Sequence, residues 1–206
     1  LVESYHCDKI FSYQNQNSGI ISINRNYAIE KAKGKFLAFC DDDDVWRAEK
    51  LQKQIDYIYR KGIEGEKFII YSNCTVFNGA SSEVTCKIKI NSLNDIILYN
   101  NQLTYSSVLV SNWNLSEIKF DENPKYVAVE DYICWMSLLN FKYKIFFMED
   151  DLIRFRAHNS MSTKVYGREH LLTVRALLKT LSFDIQFSRF YLMYAIVRET
   201  VKFVLK

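Results

Sequence analysis

The sequence is poor in the residues that separate domains or break regular structure. Its 206 residues contain one proline, Pro124, and six glycines, with no repeat and no low-complexity segment. Such a chain has little material for flexible linkers, and its length suits one large domain or two small ones. Because 49% of the residues are hydrophobic and 15% are aromatic, we expect a sizeable packed core and exclude global disorder.

Other absences narrow the class of protein. No run of 18 uncharged apolar residues occurs, which argues against a membrane-spanning helix, and no secretory signal pattern opens the chain. The net charge is only +3, too small a basic excess to predict a nucleic-acid partner. The five cysteines show no C-x-x-C spacing, which indicates reduced thiols and a cytoplasmic location.

The chain does contain an alternation of strand and helix patterns. Continuous apolar runs at residues 36–40 and 67–77 predict buried strands. Helical spacing of apolar residues at 20–33 and 48–61, each followed by a glycine, predicts helices. Further strands are predicted at 9–13, 85–90, 105–111, 144–148 and 152–157, and further helices at 92–99, 129–140, 166–181 and 187–205. This alternation is typical of an α/β fold with parallel strands.

Four consecutive aspartates, residues 41–44, stand directly after the predicted strand 36–40. Ligands of open α/β sheets bind beyond the carboxyl ends of strands, and a hard divalent cation would offset the repulsion between neighbouring carboxylates. The alternative is a solvated acidic turn that caps the following helix. A calcium loop of the EF-hand type is disfavoured, because the ligand spacing and central glycine of that loop are absent.

Several short motifs follow one another along the chain. The stretch F-L-A-F-C-D-D-D-D-V-W is followed by Lys50-Leu51 and Gln54. The others are N-S-G at 17–19, R-N at 25–26, A-K-G at 32–34, F-D-E-N at 120–123, V-E-D-Y-I-C-W at 129–135 and F-R-A-H-N-S-M-S at 155–162. In content and order these motifs resemble those of the family 2 glycosyltransferases of the GT-A fold, with the aspartate stretch resembling the family's core signature. The resemblance extends from about residue 9 to residue 163.

This resemblance implies a fold and a division of the chain. We expect an α/β, Rossmann-like GT-A domain at residues 1–163, with a mixed, mostly parallel sheet flanked by helices. A C-terminal helical extension would follow at residues 164–206. The family's pattern opens with an apolar strand and a second strand that ends in acidic residues, and neither is found here. We therefore expect the domain to be incomplete at its N-terminus.

The resemblance also implies ligands for a donor and a metal. Asp41, Asp43 and Arg25 would bind a nucleotide-sugar donor, and Asp43, Asp41 and His158 would hold the metal. A ligand set that includes imidazole suits Mn²⁺ better than Mg²⁺, so Mn²⁺ (or Mg²⁺) is the expected cofactor. Two alternatives stay open: His158 as a structural histidine, and Arg25 as a surface arginine.

By the same resemblance, Asp131 is the expected catalytic base, and Glu130 precedes it in the family's E-D pair. An inverting transfer needs a carboxylate that takes the proton of the acceptor hydroxyl. Acidic residues in the first turn of a helix are also favoured by the helix dipole alone. Trp46 and Trp135 could stack on sugar or belong to the core, and the core is the preferred interpretation for Trp135.

The function implied by the resemblance is an inverting, metal-dependent glycosyltransferase of the hexosyltransferase type. It would move a sugar from a nucleotide-sugar donor, with a UDP-sugar expected first, to a glycan or lipid-linked acceptor. The expected setting is bacterial cell-surface polysaccharide biosynthesis. The alternative is a non-catalytic fragment or degenerate relative that serves as an interaction module.

The predicted C-terminal helices combine clustered apolar residues with interspersed Lys and Arg. An amphipathic, basic helix can bind peripherally to a membrane surface, here the inner face of the cell membrane. The alternatives are that these helices cover the sheet or form a homodimer contact.

Overall fold

The computed structural model describes residues 7–78, 81–85, 87–112, 114–156, 169–180 and 189–204. Within these ranges the chain forms six α-helices and six β-strands. The helices are α1 (Ile21–Lys31), α2 (Lys50–Lys61), α3 (Leu93–Tyr99), α4 (Glu130–Asn140), α5 (Glu169–Lys179) and α6 (Arg189–Val204). The strands are β1 (Phe36–Ala38), β2 (Val45–Trp46), β3 (Phe68–Asn78), β4 (Ser81–Thr85), β5 (Leu109–Ser111) and β6 (Lys144–Arg156).

The helices end where local chemistry predicts. Gly62 follows α2 with a φ of 63°, and its N–H donates to the carbonyls of Ile58 and Tyr59, as expected of a glycine at a helix C-terminus. The Ser92 hydroxyl caps α3 by accepting a hydrogen bond from the N–H of Asp95 at 3.2 Å. All six predicted helices are confirmed, with ends that differ by at most three residues.

The strands form one mixed sheet. Its order is β1-β5-β3-β6-β2, and β4 also pairs with β3. A row of buried apolar residues crosses four neighbouring strands through the pairs Leu37–Val110, Val110–Ile69 and Ile69–Ile145. These side chains lie on the same face because directly opposed residues of paired strands share a face of the sheet.

The direction of the strands differs from the prediction. Among the described pairs, only β3 and β6 are parallel, whereas the other four pairs are antiparallel. The expectation of a mostly parallel sheet is therefore wrong for this part of the chain. The main cause is β5, which lies between β1 and β3 and runs antiparallel to both. β1, β3 and β6 still share one direction, so their carboxyl ends lie at the same edge of the sheet.

Two predicted edge segments are not strands. Residues 9–13 lack regular structure, and three of their large side chains are exposed to solvent, namely Ile10, Phe11 and Tyr13. The strand predicted at 85–90 lies earlier, in β4, and residues 87–90 are irregular. Both predictions relied on short apolar patterns, which do not form a strand unless a partner strand is available for hydrogen bonding.

Two other predicted strands merge into one. The segment 144–148 and residues 152–156 of the second segment are both part of β6, which pairs with β3 along its length. Residue 157 of the predicted segment lies outside the described residues. The ladder is irregular at Glu149 and Asp150, since Met148 faces Ser72 and the next paired residue, Asp151, faces Asn73. A bulge of this kind accommodates the acidic residues without ending the strand.

The sheet is buried on both faces. Ile69 and Tyr71 of β3 belong to the larger hydrophobic cluster, whereas Phe68 and Ile70 belong to a smaller cluster that includes Ile58 of α2. This alternation follows from the two-residue period of a strand. The larger cluster contains Trp135, whose ring is fully buried and lies 5.7 Å from that of Phe39 and 5.9 Å from that of Phe120. The prediction that Trp135 belongs to the core is confirmed.

The C-terminal helices pack on this larger cluster. Ala176 and Leu177 of α5 and Leu192 and Ala195 of α6 are buried members of it, so these helices do cover the domain, as one interpretation of the sequence expected. The domain boundary at residue 164 stays a prediction. Among the described residues, no helix is long and apolar enough to cross a bilayer.

Candidate functional site

The candidate site lies at the edge of the sheet where β1 ends. A cavity of about 330 Å³ opens there, and four of the predicted site residues line it. These are Arg25, Asp41, Glu130 and Asp131, which come from α1, the loop after β1 and the start of α4. Three sequence motifs that are far apart in the chain thus meet around one cavity.

Arg25 is the centre of this arrangement. Its guanidinium donates to Asp41 Oδ1 at 2.9 Å and to Glu130 Oε1 at 2.8 Å, and it stacks 3.7 Å from the centre of the Tyr105 ring. The side chain is only 10% exposed, so the interpretation of Arg25 as a surface arginine is wrong. One cation therefore holds the aspartate segment against the start of α4.

The aspartates form a cluster that fits a divalent cation. Asp41, Asp43 and Asp44 each offer a carboxylate oxygen, and these oxygens lie within 4.8 Å of one another. Oxygen ligands from several carboxylates are what Mg²⁺ and Mn²⁺ prefer. The third predicted ligand, His158, lies outside the described residues. The described part of the set is thus compatible with the predicted metal.

Both carboxylate oxygens of Asp44 are hydrogen-bonded within the fold. Oδ2 accepts from the Ser106 hydroxyl at 2.6 Å, and Oδ1 accepts from the N–H of Arg156 at 3.0 Å. The Ser106 hydroxyl in turn accepts from the N–H of Asp41 at 2.9 Å. Asp44 is also buried, so the solvated acidic turn is wrong for this residue. Its carboxylate connects the aspartate loop to the end of β6.

Burial changes the acidity of the site carboxyls. Burial raises the pKa of Asp41, and the Arg25 guanidinium opposes that rise. Burial also raises the pKa of Asp131 to about 7, with a further contribution from the neighbouring Glu130 carboxylate, while Arg25 again opposes it. A carboxyl group with a pKa near neutrality can accept or release a proton under ordinary conditions.

Asp131 is held by two hydrogen bonds. Its Oδ2 accepts from the Asn101 amide at 3.0 Å, and its Oδ1 accepts from the N–H of Tyr132 at 2.6 Å. The second bond is what a helix-terminal acid would make, so both interpretations of this residue find support. Glu130 directs Oε1 to Arg25, while its buried Oε2 has no hydrogen-bond partner among the described residues.

The K-L-x-x-Q motif acts on the site indirectly. Lys50 and Gln54 are fully buried on α2, where the Lys50 ammonium donates to Gln54 Oε1 at 2.8 Å. Gln54 donates to the carbonyl of Ser107 at 2.9 Å, and the Trp46 indole donates to the carbonyl of Ser106 at the same distance. The motif thus holds the 3-10 turn Tyr105–Ser107 in place beneath the aspartates.

The two residues of the R-N motif have different roles, one in the site and one in the surrounding fold. Arg25 joins the carboxylates, whereas the Asn26 amide donates to the Phe120 carbonyl and to Glu122 Oε1, each at 2.8 Å. The N–H of Phe120 donates back to Asn26 Oδ1 at 2.8 Å. These bonds fix the F-D-E-N segment beside α1.

Sequence reasoning missed three residues of the site: Asn101, Tyr105 and Ser106. No family motif includes them. Tyr105 and Ser106 belong to the strand predicted at 105–111, and that prediction is wrong at its start, because the structure has a 3-10 turn at Tyr105–Ser107 and begins β5 at Leu109. These residues matter because they contact Asp131, Arg25 and Asp41. Each contact joins residues that lie at least 30 positions apart in the chain.

Two further cavities border the site. One of about 480 Å³ is lined by apolar residues of α1 and β1 together with Arg25 and Asp41. Another of about 240 Å³ lies on the other side of Asp131 and is lined also by Asn101 and by Leu172 and Thr173 of α5. Asp41 thus lines two of the three cavities, and Asp131 also lines two of them.

The comparisons agree with the motifs. The family described as Glycosyl transferase family 2 matches residues 2–110, which is more than half of the chain. A UDP-Glc:alpha-D-GlcNAc-diphosphoundecaprenol beta-1,3-glucosyltransferase of Escherichia coli, WfgD, is 33% identical over 118 residues, which cover 56% of this chain and 42% of that protein. The amylovoran biosynthesis glycosyltransferase AmsB of Erwinia amylovora is 29% identical over 119 residues, or 52% of this chain and 37% of that protein.

The fold is shared with a solved structure. The crystal structure of S. aureus TarS 1-349 matches with a TM-score of 0.63 at 17% identity, over 92% of this chain and 54% of that one. This likeness confirms the predicted GT-A architecture. The chain spans about half the length of the curated relatives it matches, between 37% and 58%.

Proposed function

Because this chain belongs to glycosyl transferase family 2, we propose that it transfers a sugar from a nucleotide-sugar donor to a glycan or lipid-linked acceptor, with inversion at the anomeric carbon. The observation that carries the proposal is the single cavity lined by Arg25, Asp41, Glu130 and Asp131. A non-catalytic interaction module would have no need of four charged residues around one cavity, three of them largely buried.

The donor would lie along the aspartates. Asp41 and Asp43 would contact the donor's ribose or diphosphate, with Arg25 beside them. The neighbouring apolar cavity of about 480 Å³, which also reaches Asp41, has the size and lining expected of a small-molecule pocket. We propose a UDP-sugar as the first donor to examine.

We propose that Asp43 and Asp41, together with His158, hold Mn²⁺ or Mg²⁺. When bound, such a cation would neutralise charge on the diphosphate leaving group as a Lewis acid. The clustered carboxylate oxygens support this proposal. Asp44 is better suited to positioning, since both its oxygens already accept hydrogen bonds.

Asp131 would act as the catalytic base. Its carboxylate would take the proton of the acceptor hydroxyl while that oxygen attacks the anomeric carbon, and the bond to the diphosphate would break with its electron pair leaving on the diphosphate. A pKa of about 7 matches a base that works near neutral pH. Glu130 would support the site by fixing Arg25 rather than by exchanging protons.

The names of two relatives support a proposal for the acceptor and the setting. The name of the E. coli protein specifies a diphosphoundecaprenol acceptor and that of the E. amylovora protein specifies amylovoran biosynthesis. We propose a related hexosyl transfer in cell-surface polysaccharide biosynthesis. A cytoplasmic location, and contact with the inner membrane face or a second copy through the C-terminal helices, stay predictions.

Sugar transfer by the full chain tests the proposal. With a panel of nucleotide sugars and a lipid-linked glycan acceptor, we expect transfer that requires Mn²⁺ or Mg²⁺ and stops in EDTA. Asp131→Asn should lower transfer by at least about 100-fold while calorimetry still detects UDP binding. Asp56→Asn, on the exposed surface of α2, is the matched control. Near-normal transfer by Asp131→Asn would remove the base assignment.

A further inference from the structure

An ion pair on the inner face of α6 joins a buried carboxylate to partly exposed cations. Glu199 is fully buried, and its Oε1 lies 2.8 Å from Arg198 Nε and 3.2 Å from Lys202 Nζ. Burying charges is costly even when they are paired, and apolar residues can fill such a place at no loss of stability. A helix that only covered the core would not need this pair.

The pair contacts the end of α3. Arg198 Nη2 donates to Asn100 Oδ1 at 2.7 Å, and Arg198 Nη1 donates to the carbonyl of Leu98. The Asn100 amide donates to Glu199 Oε1 at 3.3 Å. Both side chains of the ion pair therefore hold the Asn100 side chain, which is about 100 residues away in sequence.

Asn100 has a strained backbone. Its φ of 61° and ψ of −169° fall in a region that is almost restricted to glycine. A residue with a Cβ stays in such a conformation only when its surroundings hold it there. The hydrogen bond that Asn100 accepts from Arg198 and the one that it donates to Glu199 hold this side chain.

The next residue contacts the proposed base. Asn101 donates its amide to Asp131 Oδ2 at 3.0 Å, while its own Oδ1 accepts from the N–H of Leu103 at 3.1 Å. Because the direction of the chain at Asn100 sets where Asn101 points, the strained turn determines this contact. Asn100, Asn101 and Asp131 also line the same cavity of about 240 Å³.

We propose that Arg198 and Glu199 are positioning residues for Asp131, which act by holding the strained turn at Asn100 so that the Asn101 amide meets the Asp131 carboxylate. The catalytic meaning of this link rests on the proposed function. The link extends the site to α6, beyond residues 2–110 that match the family. The purely structural alternative is that Arg198 only caps α3, because a cation at a helix C-terminus favours the helix dipole.

The kinetics of Arg198→Met separate the two explanations. A misplaced base should lower kcat by about tenfold or more while the KM for the donor stays within about twofold, since donor contacts are untouched. Lys202→Met is the matched control, because it removes a cation from Glu199 without touching Asn100, and it should keep kcat. If Arg198→Met does not fold, Arg198→Lys replaces it in the same measurements. The lysine keeps the charge but loses the forked geometry of the guanidinium.

A rescue variant makes the test sharper. Glycine adopts the backbone conformation of Asn100 without strain, so Asn100→Gly added to Arg198→Met should recover a large part of the lost kcat. Simple capping of α3 predicts no recovery, because the added glycine supplies no cation. Absence of recovery in a folded double variant would overturn the proposal.

The second readout does not depend on activity. Nuclear magnetic resonance can follow the Asp131 carboxyl with pH, with Asp131→Asn identifying its signal. Glu130, Arg25, Tyr105 and Cys134 are the titratable groups that face it, and none of them is changed. Since the Asn101 amide stabilises the ionised form, Arg198→Met and Asn101→Ala should both raise the midpoint by about half a unit.

The Asp131 midpoint tests the link from Arg198 to Asp131 separately from the proposed sugar transfer. An unchanged Asp131 midpoint in folded Arg198→Met overturns the link, whether or not the chain transfers sugar. A raised midpoint in a protein whose wild type transfers no sugar supports the link and overturns the proposed function.

Discussion

At the scale of single residues, the site depends on one cation shared by two carboxylates. Arg25 is 10% exposed, and its partners Asp41 and Glu130 are 30% and 8% exposed. Removing one member of such a buried group leaves an uncompensated charge, which costs far more than losing an exposed ion pair. The guanidinium is suited to the place because its fork donates in two directions and its plane stacks on Tyr105.

We expect Arg25→Met to lower the free energy of unfolding by about 3 kcal/mol, because Glu130 and Asp41 would lose their shared partner. Arg25→Lys should recover less than half of this loss, since one ammonium cannot reproduce both contacts and the stacking. Urea unfolding measures both. Arg60→Met, on the exposed surface of α2, is the control. Wild-type stability in Arg25→Lys would contradict the shared-cation account.

Asp131 makes the stability depend on pH in a defined direction. An unfolded aspartate ionises near pH 4, whereas burial raises the pKa of Asp131 in the fold to about 7. Between these values the folded state keeps a proton that the unfolded state releases. The stabilisation is therefore full below about pH 4 and is lost as the pH rises through about 7.

Asp131→Asn should therefore gain in Tm relative to wild type as the pH rises from 5 to 8, because the variant cannot ionise at this position. Thermal unfolding at both pH values measures the change. Asp56→Asn controls for the removal of an exposed carboxylate. A Tm difference between Asp131→Asn and wild type that is equal at both pH values would contradict the raised pKa.

At the scale of elements, α2 buries polar residues where its pattern predicts apolar ones. The apolar residues at helical spacing in this segment are Leu51, Ile55 and Ile58. Leu51 is nevertheless 43% exposed, and the fully buried residues of α2 are Lys50, Gln54 and Ile58. These polar groups are tolerated because their hydrogen bonds are satisfied. Burial lowers the pKa of Lys50 to about 8, which is the cost of placing an ammonium there. The buried Gln54 holds the 3-10 turn Tyr105–Ser107. Ser106 of this turn bonds to Asp41 and Asp44.

We expect Gln54→Ala to cost about 2 kcal/mol of folding stability, because the buried Ser107 carbonyl and the Lys50 ammonium each lose a partner. It should also weaken UDP binding, since the turn beneath Asp41 would loosen. Urea unfolding and calorimetry measure the two effects. Gln52→Ala on the same helix is the control, because Gln52 is exposed and donates to Asp56 on the exposed side. Equal effects of the two substitutions would contradict this role.

At the scale of the whole molecule, α6 is apolar on two opposite faces. Leu192 and Ala195 are buried, whereas six residues on the other side are exposed: Phe190, Met193, Tyr194, Val197, Val201 and Val204. Contiguous exposed apolar faces are typical of interaction surfaces, so contact through this face of α6 stays our prediction. Residues 164–206 contain eight Lys and Arg against three Asp and Glu, whereas the whole chain has a net charge of only +3. The excess of positive charge favours an anionic surface as the partner.

We expect the full chain to float with phosphatidylglycerol vesicles and not with phosphatidylcholine vesicles, with binding weakened by high salt. Val197→Asp should abolish flotation, whereas Tyr59→Asp, at an exposed aromatic of α2, should not. Sedimentation in the absence of vesicles tests the homodimer. A stable dimer that Val197→Asp dissociates, without vesicle binding, would replace the membrane contact by a contact between copies.

Local sequence alone determined the helices, the buried strands β1 and β3, and the family. Helix caps, glycine stops and apolar periods depend on residues within a few positions of each other, so they are readable without the fold. The motifs also identified Arg25, Asp41, Glu130 and Asp131 as members of one site by resemblance. Each of these predictions depends either on local backbone chemistry or on the order of short motifs.

Only the tertiary structure decided how these pieces meet. It made β5 antiparallel between β1 and β3, joined two predicted strands across a bulge, and brought Asn101, Tyr105 and Ser106 to the carboxylates. It also gave Lys50 and Gln54 a buried role and placed Arg198 beside Asn100. These features arise from contacts between residues distant in the chain, where hydrogen-bond satisfaction and the burial of charge outweigh local propensity.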